Sequence, residues 1–173
     1  MNEQLQAKTF ADFVLPPSVV SKVDLSRLVT EMEAIDNELT TTAVRAQAGA
    51  PQQAQPTASQ RLLDFLNQNQ IKLATGPERT EFIKQLRKLK DSAPVVHMTF
   101  AVEADIESLQ QLVQWLRTSV HPQAIIEVGL QPALIAGVYL RTPNHIHDMS
   151  LRAQMEGGRD VLVQDLEALR GTI

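Results

Sequence analysis

The chain has 173 residues, of which 43% are hydrophobic but only 4% aromatic, so its core must consist mostly of aliphatic side chains. The formal net charge of −4 disfavours a nucleic-acid-binding surface, which needs clustered lysine and arginine. The absence of cysteine excludes disulfides, thiolate metal sites and cysteine nucleophiles.

The apolar runs are short. The longest contain about eight residues, such as Ala133 to Leu140, whereas a membrane-spanning helix needs about twenty. The N-terminus has no sustained apolar core of the kind found in a secretory signal. We therefore expect any attachment to a membrane to depend on partner proteins.

The first predicted region, residues 1–45, ends in an amphipathic helix. Residues 1–20 are expected to be weakly structured, because Pro16-Pro17 prevents a continuous helix. The following apolar residues recur at alternating intervals of three and four, which predicts a helix from about Asp24 to Arg45 with Asp24 or Ser21 as its cap. These residues are Leu25, Leu28, Met32, Ile35 and Leu39.

Residues 46–58 contain no large hydrophobic side chain and are predicted to be a linker. Residues 59–93 are predicted to form a helical hairpin, with Ser59 as the first cap. The second helix opens with Thr75-Gly76-Pro77-Glu78, a capping box with proline in the first turn. A basic concentration on this second helix alternates with acidic residues and is interpreted as a solvated face. It comprises Lys84, Arg87, Lys88 and Lys90.

Residues 94–173 change from helical to mixed periodicity and predict an α+β domain with the element order β-α-β-β-α. Strict alternation predicts a strand that places Val96, Met98, Phe100 and Val102 on one face. Asp105 is expected to cap a helix with an apolar stripe at Ile106, Leu109, Val113, Leu116 and Val120. Strands at about 124–130 and 134–141, a turn and a final helix follow. The stripe of that final helix comprises Leu151, Met155, Gly158, Leu162, Leu166 and Leu169.

Catalytic motifs are absent from the sequence. It contains no Gly-x-Ser-x-Gly elbow, phosphate-binding loop or dinucleotide fingerprint. His145-Ile146-His147-Asp148 has two interpretations: a metal site built on a strand, or a polar turn that leads into a helix cap. We favour the turn, and expect no catalytic residue, cofactor or metal.

The run LQPALIAGVYLR, followed by Asp-x-Ser-Leu-Arg, resembles the C-terminal signature of the delta subunit of F-type ATP synthases, the family that includes the oligomycin-sensitivity-conferring protein. The first part of the match comprises Leu130, Gln131, Leu134, Ala136, Gly137, Val138, Leu140 and Arg141. The second part comprises Asp148, Ser150, Leu151 and Arg152. The resemblance covers roughly residues 92–156.

Physical reasoning gives these residues structural roles. Glycine in a strand is favoured where another backbone or helix approaches closely, so Ala136-Gly137 is expected to admit the terminal helix or a partner helix. Asp148 or Ser150 is expected to cap the final helix, and Asp148 can pair with Arg152.

The resemblance implies a non-catalytic stator subunit that joins the catalytic head, including its alpha subunit, to the b subunit of the peripheral stalk during proton-driven ATP synthesis. It also implies a peripheral location on the cytoplasmic face of the bacterial membrane. No nucleic-acid partner is expected. The family usually has a six-helix N-terminal bundle, of which this chain shows at most three helices. Six residues are candidates for partner binding: Trp115, Val161, Leu162, Leu28, Met32 and Ile35.

Two further alternatives remain open, one for a single residue and one for the whole chain. Trp115 is either a flank of the core or a contact for another chain, since aromatic residues are favoured at interface centres. The whole chain has the alternative interpretation of an unrelated α+β interaction or ligand-binding regulatory domain with a helical dimerisation arm.

Overall fold

The computed structural model describes residues 9–49, 56–142 and 145–156, together with residues 158 and 164. The chain forms two compact units. The helical unit contains the chain up to Pro94 and Gln110–Ile125. The β unit contains Val95–Leu109 and the chain from Ile126 onward. The α+β class is confirmed. The division of the chain into domains at residues 45, 58 and 93 remains a prediction.

The helical unit begins with a 3-10 turn at Phe10–Asp12 and continues with three helices. Helix α1 spans Lys22–Gln47, α2 spans Gln60–Asn69 and α3 spans Gly76–Ser92. Most of a fourth helix, α4 (Ile106–Ser119), also belongs to this unit.

The predicted caps are confirmed at all four helices. The Ser21 hydroxyl accepts a hydrogen bond from the Asp24 amide at 3.3 Å, and Ser59 caps α2 in the same way through Leu62. The capping box at Thr75 is complete, because the Glu78 carboxylate also accepts from the Thr75 amide at 2.9 Å. Asp105 accepts from the Ser108 amide at 2.8 Å at the start of α4.

Helix α1 packs mainly against α3. Its buried side chains are Leu25, Leu28, Val29 and Met32. Two ion pairs link the helices, Asp36 with Arg79 at 2.6 Å and Glu33 with Arg87 at 2.7 Å. The residue numbers rise along α1 as they fall along α3, so the two helices are antiparallel. Arg87 of the basic helix face is thus paired while its side chain stays largely exposed.

The expectation that residues 1–20 are weakly structured is wrong for the described part of that segment. Phe13, Leu15 and Val19 are 3%, 2% and 0% exposed. The Phe13 ring lies 5.5 Å from the Phe65 ring, edge to face, and 6.0 Å from Phe82. The segment is part of the core although it contains no long helix.

The β unit contains a four-stranded sheet in the order β2-β1-β3-β4. The strands are β1 (Val95–Phe100), β2 (Ile125–Leu130), β3 (Gly137–Arg141) and β4 (Ile146–Ser150). The β1–β3 and β3–β4 pairs are antiparallel. Strand β2 runs parallel to β1, because the amides of Ile125 and Gln131 donate to the carbonyls of Pro94 and Phe100 in the same order along both strands.

The structure corrects the predicted elements after residue 130. Residues Pro132–Leu134 form a 3-10 turn, so the strand predicted from 134 begins only at Gly137. The predicted turn and cap at residues 145–148 are replaced by the fourth strand β4, and residues 151–156 are helical.

The predicted apolar stripes are correct in their centres and wrong at their ends. Val96 and Met98 in β1 and Val113 and Leu116 in α4 are buried. The side chains beyond them are exposed because they lie at or past the ends of these elements. They are Val102 at 71%, Ile106 at 72% and Val120 at 59%.

Candidate interaction surface

Backbone register and alternation divide the side chains of the sheet between two faces. We define the apolar face by Val96, Met98, Phe100, Ile126, Val128, Leu130, Val138, Leu140 and Met149. His147 is the polar member of this face. Nine of these ten side chains are apolar, so the face matches the pattern of a surface that another protein element covers.

The apolar face is covered only in part. Val96, Met98 and Ile126 are at most 4% exposed. On the two edge strands, Leu130 and Met149 remain 54% and 50% exposed, and Val128 is 45% exposed. Phe100, Val138 and Leu140, on the central strands, are half-buried. Clustered apolar exposure of this kind marks an interaction site more often than single exposed residues do.

The opposite face of the sheet is mostly polar, although Ile125 and Ile146 also lie on it. His97 Nδ1 lies 3.1 Å from the Glu127 carboxylate, and His97 is paired in register with Arg141 on β3. Tyr139 is paired in register with Asp148 on β4. On the described strands this face exposes one large apolar side chain, Ile146 at 59%, and so offers a partner less apolar surface than the apolar face does.

The turn between β2 and β3 places another apolar side chain at the surface. Ile135 has φ 68° and ψ −56°, and the Ala136 amide donates to the Leu134 carbonyl at 2.8 Å. This is a γ-turn of the rare, strained kind, and a positive φ is unusual for a β-branched residue. Ile135 is 61% exposed, whereas Leu134 beside it is buried. The Ala136 carbonyl accepts from the Leu151 amide, which brings the turn close to residue 151.

Gly137 is required where it stands because another backbone approaches it closely, as expected, although that backbone is a strand and not the expected helix. Its φ is +91°, and a Cβ there would lie 3.0 Å from Ser150 Cα and closer still to the Met149 carbonyl oxygen. The close neighbour is the backbone of β4 and not a helix. The family motif thus fixes a tight hairpin pairing.

Ser150 and Asp148 form hydrogen bonds at the end of β4, where the chain passes into the next helix. The Ser150 hydroxyl accepts from the Ala153 amide at 3.2 Å and caps the helix at 151–156, as predicted. Asp148 accepts from the Ser150 amide at 2.9 Å, and hydrogen bonds from Ser150 lower the pKa of this carboxyl. Arg152 pairs with Glu156 at 3.0 Å, where we had expected Asp148 as its partner.

The structure separates the six predicted partner residues. Leu28 and Met32 are 0% and 2% exposed, so they hold the helical unit together and are not surface residues. Ile35 is half-buried, and Trp115 is 58% exposed on α4. Val161 and Leu162 lie outside the described residues. In the final helix, Leu151 and Met155 are exposed at 40% and 61%, contrary to their predicted place in a core stripe.

The sequence interpretation missed Arg117 and Gln123. Arg117 is 8% and Gln123 is 6% exposed, and both donate hydrogen bonds to backbone carbonyls in residues 10–19. Burial lowers the pKa of Arg117 to about 10, so its guanidinium group is still charged at neutral pH. Arginine on an amphipathic helix is usually a surface residue, and no local pattern indicated its burial.

Neither a metal site nor a membrane span is found in the described part of the chain. The rings of His145 and His147 lie 6.2 Å apart, but within residues 9–49, 56–142 and 145–156 no group of three metal-ligating side chains is close enough to hold an ion. No helix in these same ranges is both long and apolar enough to cross a bilayer.

A comparison with protein-family models matches residues 18–162 to the family described as ATP synthase delta (OSCP) subunit. The match covers most of the chain and includes the helices as well as the β unit. The chain belongs to this family. A search of curated proteins returned no match.

Family membership makes the delta-family chain a subunit of ATP synthase. It replaces the alternative of an unrelated regulatory domain. It also extends the resemblance from residues 92–156 to the helical unit, where the signature motif is absent.

Proposed function

We propose that this delta-family chain is a non-catalytic stator subunit, which joins the catalytic head of ATP synthase to the b subunit of the peripheral stalk. The apolar face of the β unit is the surface proposed for the b subunit, and the helical unit is proposed to contact the head through its alpha subunit. Through these partners the chain is held at the cytoplasmic face of the membrane during proton-driven ATP synthesis. The observation that carries the proposal is the exposed apolar cluster on one face of a sheet whose other face is mostly polar.

The chemistry of the partner follows from shape and charge. An amphipathic helix with an apolar stripe fits a partly covered apolar sheet face, because it buries side chains while its own backbone stays hydrogen-bonded. Residues 95–109 and 126–173, which make up the β unit, contain nine acidic residues, four arginines and no lysine. We therefore expect lysine or arginine beside the apolar stripe of the b-subunit helix, since opposite charges favour the correct partner.

The helical unit differs from the β unit in its charge balance and in the placement of its exposed apolar residues, and both differences suit a contact with the catalytic head. Its four basic residues near the end of α3 and its acidic residues alternate, and residues 1–94 contain equal numbers of basic and acidic residues. Its exposed apolar side chains lie on separate elements, including Val23 on α1, Leu63 on α2 and Trp115 on α4. We propose a more polar contact with the head, in which α1 and Trp115 take part.

Co-expression of the full chain with the b subunit tests the proposal. We expect a stable complex, and we expect Leu130→Asp to weaken it at least tenfold by placing a charge in the apolar contact. Leu63→Asp is the matched control, because Leu63 is 40% exposed but lies in the helical unit.

Two results would contradict the proposal. One is a chain that binds no b subunit although it is folded. The other is equal binding by the Leu130→Asp and wild-type chains. The non-catalytic assignment would fail if the purified chain alone hydrolysed ATP.

A further inference from the structure

Residues 9–20 lie against the helical unit as a largely extended segment, which we call the strap. Its own regular structure is one 3-10 turn, Phe10–Asp12. Phe13, Leu15 and Val19 are its buried anchors, and the Phe13 ring contacts Phe65 and Phe82 on α2 and α3. The strap fills an apolar cleft in the way that a bound peptide fills a binding groove.

The polar groups of the strap backbone are satisfied mainly by side chains of other elements. Gln123 Nε2 lies within hydrogen-bonding distance of three carbonyl oxygens, those of Phe10 at 2.6 Å, Ala11 at 3.2 Å and Phe13 at 3.0 Å. Asn69 binds both the amide and the carbonyl of Val14, at 2.8 and 2.9 Å. The backbone of α1 is different, because its amides and carbonyls pair within the helix.

Arg117 contacts three strap carbonyls, as many as Gln123 does. Its guanidinium group donates to the carbonyls of Leu15 at 3.1 Å, Pro16 at 3.0 Å and Val19, and to Ala124 outside the strap. No carboxylate pairs with Arg117 among the described residues. This buried cation is balanced by carbonyl dipoles alone. When the strap leaves, water can hydrate the guanidinium group again, which offsets part of the free energy of the lost hydrogen bonds.

We propose that the strap opens as one piece while α1, α2 and α3 remain folded, and that its opening uncovers the cleft at Phe65 and Phe82. A segment that a few side chains hold together forms a cooperative unit with a lower opening free energy than the helices beneath it. The resident occupant of the cleft is this segment of the chain itself.

Amide hydrogen exchange on the full chain tests this proposal. The amides of Val14 and Val19 report on the strap, and those of Leu28 and Met32 report on α1. In the wild-type chain we expect the strap amides to exchange at least tenfold faster than the α1 amides, because they exchange from the locally open state.

Gln123→Ala sharpens the test, because Gln123 contacts strap carbonyls but neither of the two reporter amides. We expect it to accelerate exchange at Val14 and Val19 together, by about tenfold or more, without changing the α1 amides. Gln60→Ala is the matched control, since Gln60 bonds to Asp64 at the surface of α2. It should change neither set.

Equal exchange rates for the strap and α1 amides in the wild-type chain would overturn the proposal, because the strap would then open only on global unfolding. Uniform acceleration of both sets in the variant would do the same. Phe13→Leu is the second variant, which keeps an apolar anchor in place and tests the strap without removing a buried polar group. It should also accelerate the strap amides selectively.

Discussion

The two units of the molecule differ in how much of their apolar surface, and how many of their polar groups, are covered or hydrogen-bonded within the same unit. In the helical unit, aromatic and aliphatic side chains close a core, and buried Arg117, Gln123 and Asn69 satisfy the carbonyls of an irregular segment. In the β unit, one face of the sheet keeps Val128, Leu130 and Met149 about half exposed. The half-exposed apolar face of the β unit is therefore the surface that we propose for a partner protein.

The largest expected effect comes from the glycine that fixes the hairpin of the β unit. Gly137→Ala should lower the free energy of unfolding by about 3 kcal/mol, because it combines positive-φ strain with a collision against the β4 backbone. Chemical denaturation followed by amide signals of the sheet measures the loss.

Gly49→Ala in the helical unit is the control for that substitution. Gly49 has a similar φ of +81°, but nothing lies within 4 Å of its added Cβ. We expect a loss of only about 1 kcal/mol from backbone strain. Equal losses in the two variants would show that the close approach to β4 contributes nothing.

Leu151 separates folding from binding within the β unit. Leu151 follows Met149 of the apolar face by two residues and is 40% exposed, and we propose that it extends the b-subunit contact. Leu151→Asp should then change the free energy of unfolding by no more than about 0.5 kcal/mol, yet weaken b-subunit binding about tenfold. Leu134, in the 3-10 turn before β3, is buried, and Leu134→Asp should cost about 3 kcal/mol. Thermal unfolding and co-purification measure the two effects. Unfolding of the Leu151→Asp variant would show that Leu151 is a core residue and would contradict this prediction.

The smallest expected effect concerns acid sensitivity at Asp148. Hydrogen bonds from Ser150 lower the pKa of Asp148 below its ordinary 3.8, so the folded state favours the carboxylate. The resulting stability is present above pH 3.8 and is lost as the pH falls through the lowered folded-state value. The wild-type chain should therefore exceed Asp148→Ala in stability at pH 7, and the difference should shrink under acid. A pH-independent difference would contradict this linkage.

Local sequence signals predicted the helices better than the sheet or the strap. Each helix begins with a side-chain cap, and Ser21, Ser59, Thr75 and Asp105 are visible in the sequence because a cap needs only nearby residues. Strand β4 was missed because four of its five side chains are exposed. An edge strand of this kind is held by backbone pairing with β3 and shows no apolar alternation.

The strap and the candidate surface show a second limit of the sequence. Phe13 and Leu15 alternate with exposed Val14 over only three residues before Pro16-Pro17, which is too short a run to predict a strand. Arg117 binds carbonyls about a hundred residues away in the chain. The family motif located Leu130, Gly137 and Ser150, but exposure of Leu130 depends on which strands lie at the sheet edge. Only the fold supplies that order.

Oxidative labelling of methionine in the free chain and in assembled ATP synthase tests the central claim most directly. Met149 on the apolar face is 50% exposed, and Met98 is 3% exposed on the same face. We expect Met149 to be oxidised readily in the free chain and to become protected on assembly, while Met98 is protected in both states. Oxidation of Met149 to the same extent in the assembled enzyme would contradict this expectation.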